Sequence, residues 1–151
     1  MSDYNELLNQ VRQQQSAAPS GPLPILSLED FFEGNDDPGS IGCNILDHPG
    51  TQAFYSTLKQ IRARPEVQDV LVEIYETIKD DEYVKDGLLW GRDWPLFSER
   101  VYIISSASIK QVVEWARLLC PDEVDEGWAF GKAPAAPDPE QGHHVYSLWW
   151  D

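Results

Sequence analysis

Cys43, Asp47 and His48 form the only local grouping in the chain with the residue types of a nucleophile, a base and an orienting carboxylate. Nearness in sequence does not make a triad, because a triad is defined by geometry. The plainer reading of the same residues is a small buried apolar cysteine and a histidine in a turn. A small hydrolase-like enzyme assembled around Cys43 and His48 is therefore one alternative, and no catalytic residue is assigned. The remaining histidines, His143 and His144, are adjacent, and adjacent side chains on an extended chain face opposite ways. A metal shared between them would need ligands from elsewhere in the fold, so no metal is expected. Gly34, Gly39, Gly42 and Gly50 never fall into GxGxxG, nor precede a Lys-Ser/Thr pair, so no phosphate cradle and no nucleotide cofactor is expected. The acidic runs lack the alternating ligand spacing of a calcium loop.

What stands out is charge together with tryptophan. The 151 residues carry 26 acids against 11 bases, a formal net charge of -15. Acids number 8 and bases 4 up to Arg64, then 18 and 7 beyond it, so the second half carries the field. Nucleic-acid backbones and anionic membranes should repel such a chain, and neither is expected as a partner. Six tryptophans accompany the acids. Trp90 and Trp94 follow the cluster around Asp80, Asp81 and Glu82, and Trp128 follows Asp122, Glu123, Asp125 and Glu126. Rings set among carboxylates suit a face that binds a basic protein, the indoles serving as desolvated anchors and the charges steering the encounter. These ten residues are the candidate partner-binding set.

The elements that must position them follow from periodicity and punctuation. Residues 2–15 predict a helix with Leu7, Leu8 and Val11 on a narrow stripe, and the Pro/Ser/Gly stretch 16–24 separates it as an arm and linker from a domain spanning 25–151. Ser27 with Asp30 predicts a short helix over 28–32, and residues 41–46 a short strand. Thr51 is the expected cap of a helix to about Arg64, with Phe54, Leu58 and Ile61 inward and Pro65 as the stop. Residues 70–76 and 100–105 read as strands. Ser108 and Gln111 form a capping box before a helix whose buried stripe is expected to hold Val112, Val113, Ala116, Leu119 and Cys120. Residues 145–150 close the chain as a strand in which Trp149 and Trp150 face opposite ways.

The sum is an α+β two-layer sandwich: a mostly antiparallel sheet of about four strands, two principal helices and an N-terminal helical arm. With 42% hydrophobic and 25% charged residues the chain reads as globular. Cys43 and Cys120 lack partners at metal or redox spacing, and Asp3 and Glu6 stand where a secretory signal would be positive, so a cytoplasmic monomer without a disulfide is expected. In composition it resembles the immunity proteins that bacteria make against their own toxins. That resemblance implies an acidic inhibitor neutralising a basic partner, a toxin, by occlusion. A structural or adaptor subunit is the remaining alternative, to be recognised by self-association.

Overall fold

The computed structural model describes residues 4–77 and 94–151. Its centre is a five-stranded antiparallel sheet in the order β1-β2-β5-β7-β6, built from β1 (Ile25–Ser27), β2 (Val67–Glu73), β5 (Arg100–Ser105), β6 (Glu123–Glu126) and β7 (His144–Trp149). A separate two-stranded ribbon pairs β3 (Glu76–Thr77) with β4 (Leu96–Phe97). Four helices are seen among the described residues: α1 (Tyr4–Ala17), α2 (Leu28–Phe32), α3 (Thr51–Arg62) and α4 (Ile109–Trp115). The expected α+β architecture with a mostly antiparallel sheet is the one observed, with one more strand in the main sheet.

Alternation along the strands sorts the two faces. Val70 and Val72, Val101 and Ile103, Tyr146 and Leu148 point to one side, where α1 to α4 cover them. Leu71, Tyr102, Ile104 and Val145 point to the other, covered by Ala133, Ala136 and the half-buried Trp128 from the segment between β6 and β7. The Ala/Pro-rich stretch 132–139 thus covers the second face.

α1 packs against the rest of the chain. Leu7, Leu8 and Val11 are buried in the main core, and the helix is tied down further by Gln14. Its side-chain amide donates to the Ile25 carbonyl at 2.9 Å and accepts from the Ile25 N–H at 2.8 Å. Ile25 lies on the outer strand, so this amide stands where the peptide group of a further strand would pair.

α2 starts at Ser27, whose hydroxyl accepts from Asp30 N at 3.1 Å. Residues 41–46 are not a strand. Ile41 makes one isolated bridge to Ser98, and Gly42 then turns the chain at φ 61°. A Cβ at Gly42 would stand 2.7 Å from Ile45 Cδ1 and 2.9 Å from Phe54 Cζ, so the turn needs glycine for space as well as for handedness. Thr51 does not cap α3 either. Gly50 is the N-cap, while the Thr51 hydroxyl donates to the Asn35 carbonyl at 2.6 Å, fastening α3 to the preceding loop.

The capping box of α4 is complete: Gln111 N donates to Ser108 Oγ at 3.3 Å and Ser108 N to Gln111 Oε1 at 3.1 Å. Ser108→Ala should cost about 1 kcal/mol, read as an earlier denaturation midpoint with an unchanged slope. The buried stripe is narrower than expected. Val112, Ala116 and Leu119 are buried, but Val113 and Cys120 are exposed. Regular helix ends at Trp115, a 3₁₀ turn follows over Arg117–Leu119, and Cys120 is carried out in a left-handed conformation.

Candidate functional site

β6 is four residues long and three of them are acids, so nothing in its own propensities favours a strand. Pairing makes it one. Glu123, Val124, Asp125 and Glu126 stand opposite Trp149, Leu148, Ser147 and Tyr146 of β7. Flanking bonds clamp both ends, Asp122 N to Trp149 O at 2.8 Å and Gly127 N to Val145 O at 2.7 Å. Val124 faces the helical side and packs against the main core, while Glu123, Asp125 and Glu126 are exposed. Three of the candidate acids, Glu123, Asp125 and Glu126, therefore share one short edge strand. Asp122, just before it, is also exposed, but one of its oxygens accepts the Asp151 N–H at 2.7 Å.

Trp128 leaves β6 through Gly127, at φ 105°. Its ring meets Tyr102 edge-on, with centroids 4.7 Å apart, so it is half-buried against the second face of the sheet and only part of it is presented. Ala129 N donates to the Tyr102 hydroxyl at 3.2 Å. Phe130, 52% exposed, lies with its ring centroid 5.8 Å from the Arg100 guanidinium carbon. Phe130 offers more open ring surface than Trp128, and no tryptophan-based reading could have named it.

Beneath these rings runs a polar cluster that sequence reasoning missed. The Tyr102 hydroxyl donates to Glu73 Oε2 at 2.5 Å, Arg100 Nε lies 3.4 Å from Glu73 Oε1, and Arg100 Nη1 donates to Ser147 Oγ at 2.5 Å. Burial pushes the Glu73 carboxyl above its ordinary value, against the pull of the Tyr102 hydrogen bond and Arg100. Burial also raises the Tyr102 phenol, and the neighbouring carboxylate adds to the effect. Titratable groups perturbed in this way often mark chemistry. Here Glu73 is 3% exposed and Tyr102 2%, so no substrate reaches them. The cluster instead fixes the segment that carries Trp128 and Phe130.

Other expected anchors fall elsewhere. Trp94 is not presented to solvent: it is fully buried, edge-on to Phe31 with centroids 6.0 Å apart, because the helical layer needs a large ring there. Asp80, Asp81, Glu82 and Trp90 lie outside the described residues. Trp150 is buried and Trp149 half-buried.

The Cys43 and His48 grouping does not assemble. His48 Nδ1 accepts from Gly50 N at 2.8 Å, its Nε2 lies 2.7 Å from the Ile41 carbonyl, and the ring stacks on Phe54. The first bond requires an unprotonated Nδ1, which makes Nε2–H the donor to Ile41 and leaves neither nitrogen free to activate the exposed Cys43. Among the described residues no three His, Cys, Asp or Glu side chains converge as a metal site would require, and no helix is long and apolar enough to cross a membrane.

No solved structure matches the chain. A protein of Escherichia coli K12 described as uncharacterized protein YfbO is 40% identical over 134 residues, which cover 88% of this chain and 86% of that protein. The model of the family described as uncharacterized protein YfbO family matches residues 2–148. With both matches running nearly end to end, the chain belongs to the YfbO family.

Proposed function

We propose that the chain is an acidic binding protein that neutralises a basic protein partner by occlusion, acting as a monomer, with immunity against a bacterial toxin as the concrete form. The observation that supports this reading is the gathering of Glu123, Asp125 and Glu126 on one exposed edge strand, with Asp122 before it and Trp128 and Phe130 behind it. Charges so placed speed encounter and reject acidic competitors, while the part-exposed rings supply area to desolvate. The net charge of -15 gives the whole molecule a field of the same sign.

The test is association with whichever basic protein copurifies with the chain, followed by stopped flow at low and high salt. Neutralising Asp122, Glu123, Asp125 and Glu126 together to their amides should slow association about tenfold at low salt and flatten its salt dependence. Unchanged kinetics would remove the basis of the reading.

A further inference from the structure

We propose that the partner docks by laying an extended lysine- or arginine-bearing segment along the outer edge of β6, as an added antiparallel or parallel strand beneath the overhanging flank of α4. This rests on the reading of the chain as a binder of basic protein and names the part of the partner that is held.

The edge itself is the first argument. β6 is last in the sheet order and, among the described residues, has a strand neighbour on one side only. Gly127 bonds inward to Val145, and antiparallel alternation then turns the N–H and C=O groups of Val124 and Glu126 away from β7. β6 holds neither proline nor lysine, while its shortness and its three carboxylates discourage most added strands and leave a cationic one as the fitting guest. At the opposite edge the Gln14 amide already occupies Ile25.

The second argument is the ledge. Ile109 is 40% exposed and Val113 46%, and they stand four residues apart on one helical stripe. At 100° per residue, that stripe lies on the flank of α4 opposite Trp115, whose ring meets the Arg64 guanidinium just past the end of α3. Since α3 packs on β2 and α4 on β6, the Ile109 and Val113 flank is the one turned away from α3 on the β6 side of the sheet, where an added strand would find an apolar cover.

Charge selects the occupant. Glu123 and Asp125 share the face of Trp149 and Ser147, and Glu126 the face of Tyr146, so both sides of the strand are acidic. A second β6 laid alongside would set like charges opposite one another, which is destabilising. A strand bearing cations would meet complementary charge on either face. Main-chain bonds then supply affinity, and alternate side chains supply selection.

The probe is a short synthetic peptide alternating lysine with valine, read by fluorescence anisotropy against the full chain. Glu126→Gln removes a charge and keeps the outward N–H. Glu126→Pro removes both and leaves the β7 ladder intact. The amide variant should bind about threefold more weakly than wild type, and the proline variant about tenfold more weakly again. Hydrogen exchange at the Val124 and Glu126 amides should slow when peptide is bound. The same peptide N-methylated on alternate amides should lose at least about tenfold on the wild-type chain, whether or not the proline variant folds.

Equal binding of the two Glu126 variants, or of the two peptides, would overturn strand addition. If that binding is still salt-dependent, the acidic-binder reading stands. Failure of the parent peptide to bind would also overturn strand addition, the broader reading then being judged by the association kinetics above. Protection of Val124 and Glu126 without peptide, in a dimer of the chain, would assign the edge to a second copy and overturn the proposal.

Discussion

Trp150→Ala is expected to destabilise the fold by about 3–5 kcal/mol, the range for deleting a large buried aromatic side chain. Trp150 is 1% exposed and tilts against Phe54 of α3 at 5.4 Å between centroids. Its indole N–H donates to the Leu119 carbonyl at 2.7 Å, and its own main-chain N–H donates to Glu99 O at 2.9 Å. One residue therefore joins α3, the turn after α4 and the loop before β5. Truncation empties the junction and strands a buried carbonyl, two separate costs. Melting should fall by at least about 6 °C for a domain of this size. Trp150→Phe, which keeps a ring and loses the donor, should cost about 1–3 kcal/mol. Equal losses in the two variants would mean that the hydrogen bond, and not the packing, holds the junction.

Arg100→Met is expected to cost about 3 kcal/mol or more near neutral pH, because it leaves the Glu73 carboxylate buried without its cation. The Glu73 side chain is 4% exposed and that of Arg100 15%, so solvent does little to screen the pair. The pH dependence has a definite sign. Burial raises the Glu73 carboxyl above its ordinary 4.5, so the folded state holds that proton more tightly than the unfolded chain does. The resulting stabilisation is fully present below the ordinary value and is lost as pH climbs through the folded one. Removing Arg100 takes away a lowering influence and extends that loss to higher pH. Glu73→Gln should abolish it.

Chemical denaturation from about pH 4 to about pH 8 measures the difference. Glu29 works in the opposite direction. The Arg62 fork holds its carboxyl below the ordinary value, so its contribution is present above that value and is lost as pH falls through the folded one, on the acid side of the Glu73 limb. Tyr102 adds an alkaline limb: with its phenol raised, the unfolded chain ionises first, and stability should decline above about pH 10.

Features encoded locally were legible before the coordinates. The apolar run within Arg100–Ser105 and the capping box of Ser108 and Gln111 each lie within a few residues of sequence, and each forms as expected. So does the short helix after Ser27. Features encoded by pairing were not. The strand character of Glu123–Glu126 is conferred by β7, some twenty residues away. Glu73 and Arg100 meet only because the β2 to β5 register sets them opposite one another. Trp94 was misplaced for a related reason: an indole beside acids in sequence looks presented, whereas the vacancy it fills is defined by Phe31 on another element. Val113 failed by a single helical step, one position round from Val112, a distinction that apolar character alone does not make.

The Gln14 amide that grips Ile25 has a consequence for stoichiometry. A ribbon that lengthens without limit needs two mutually receptive sides, and here one is already satisfied by the chain's own glutamine. Growth of this chain by laying β6 of one copy against β1 of the next therefore meets an Ile25 whose N–H and C=O are already taken.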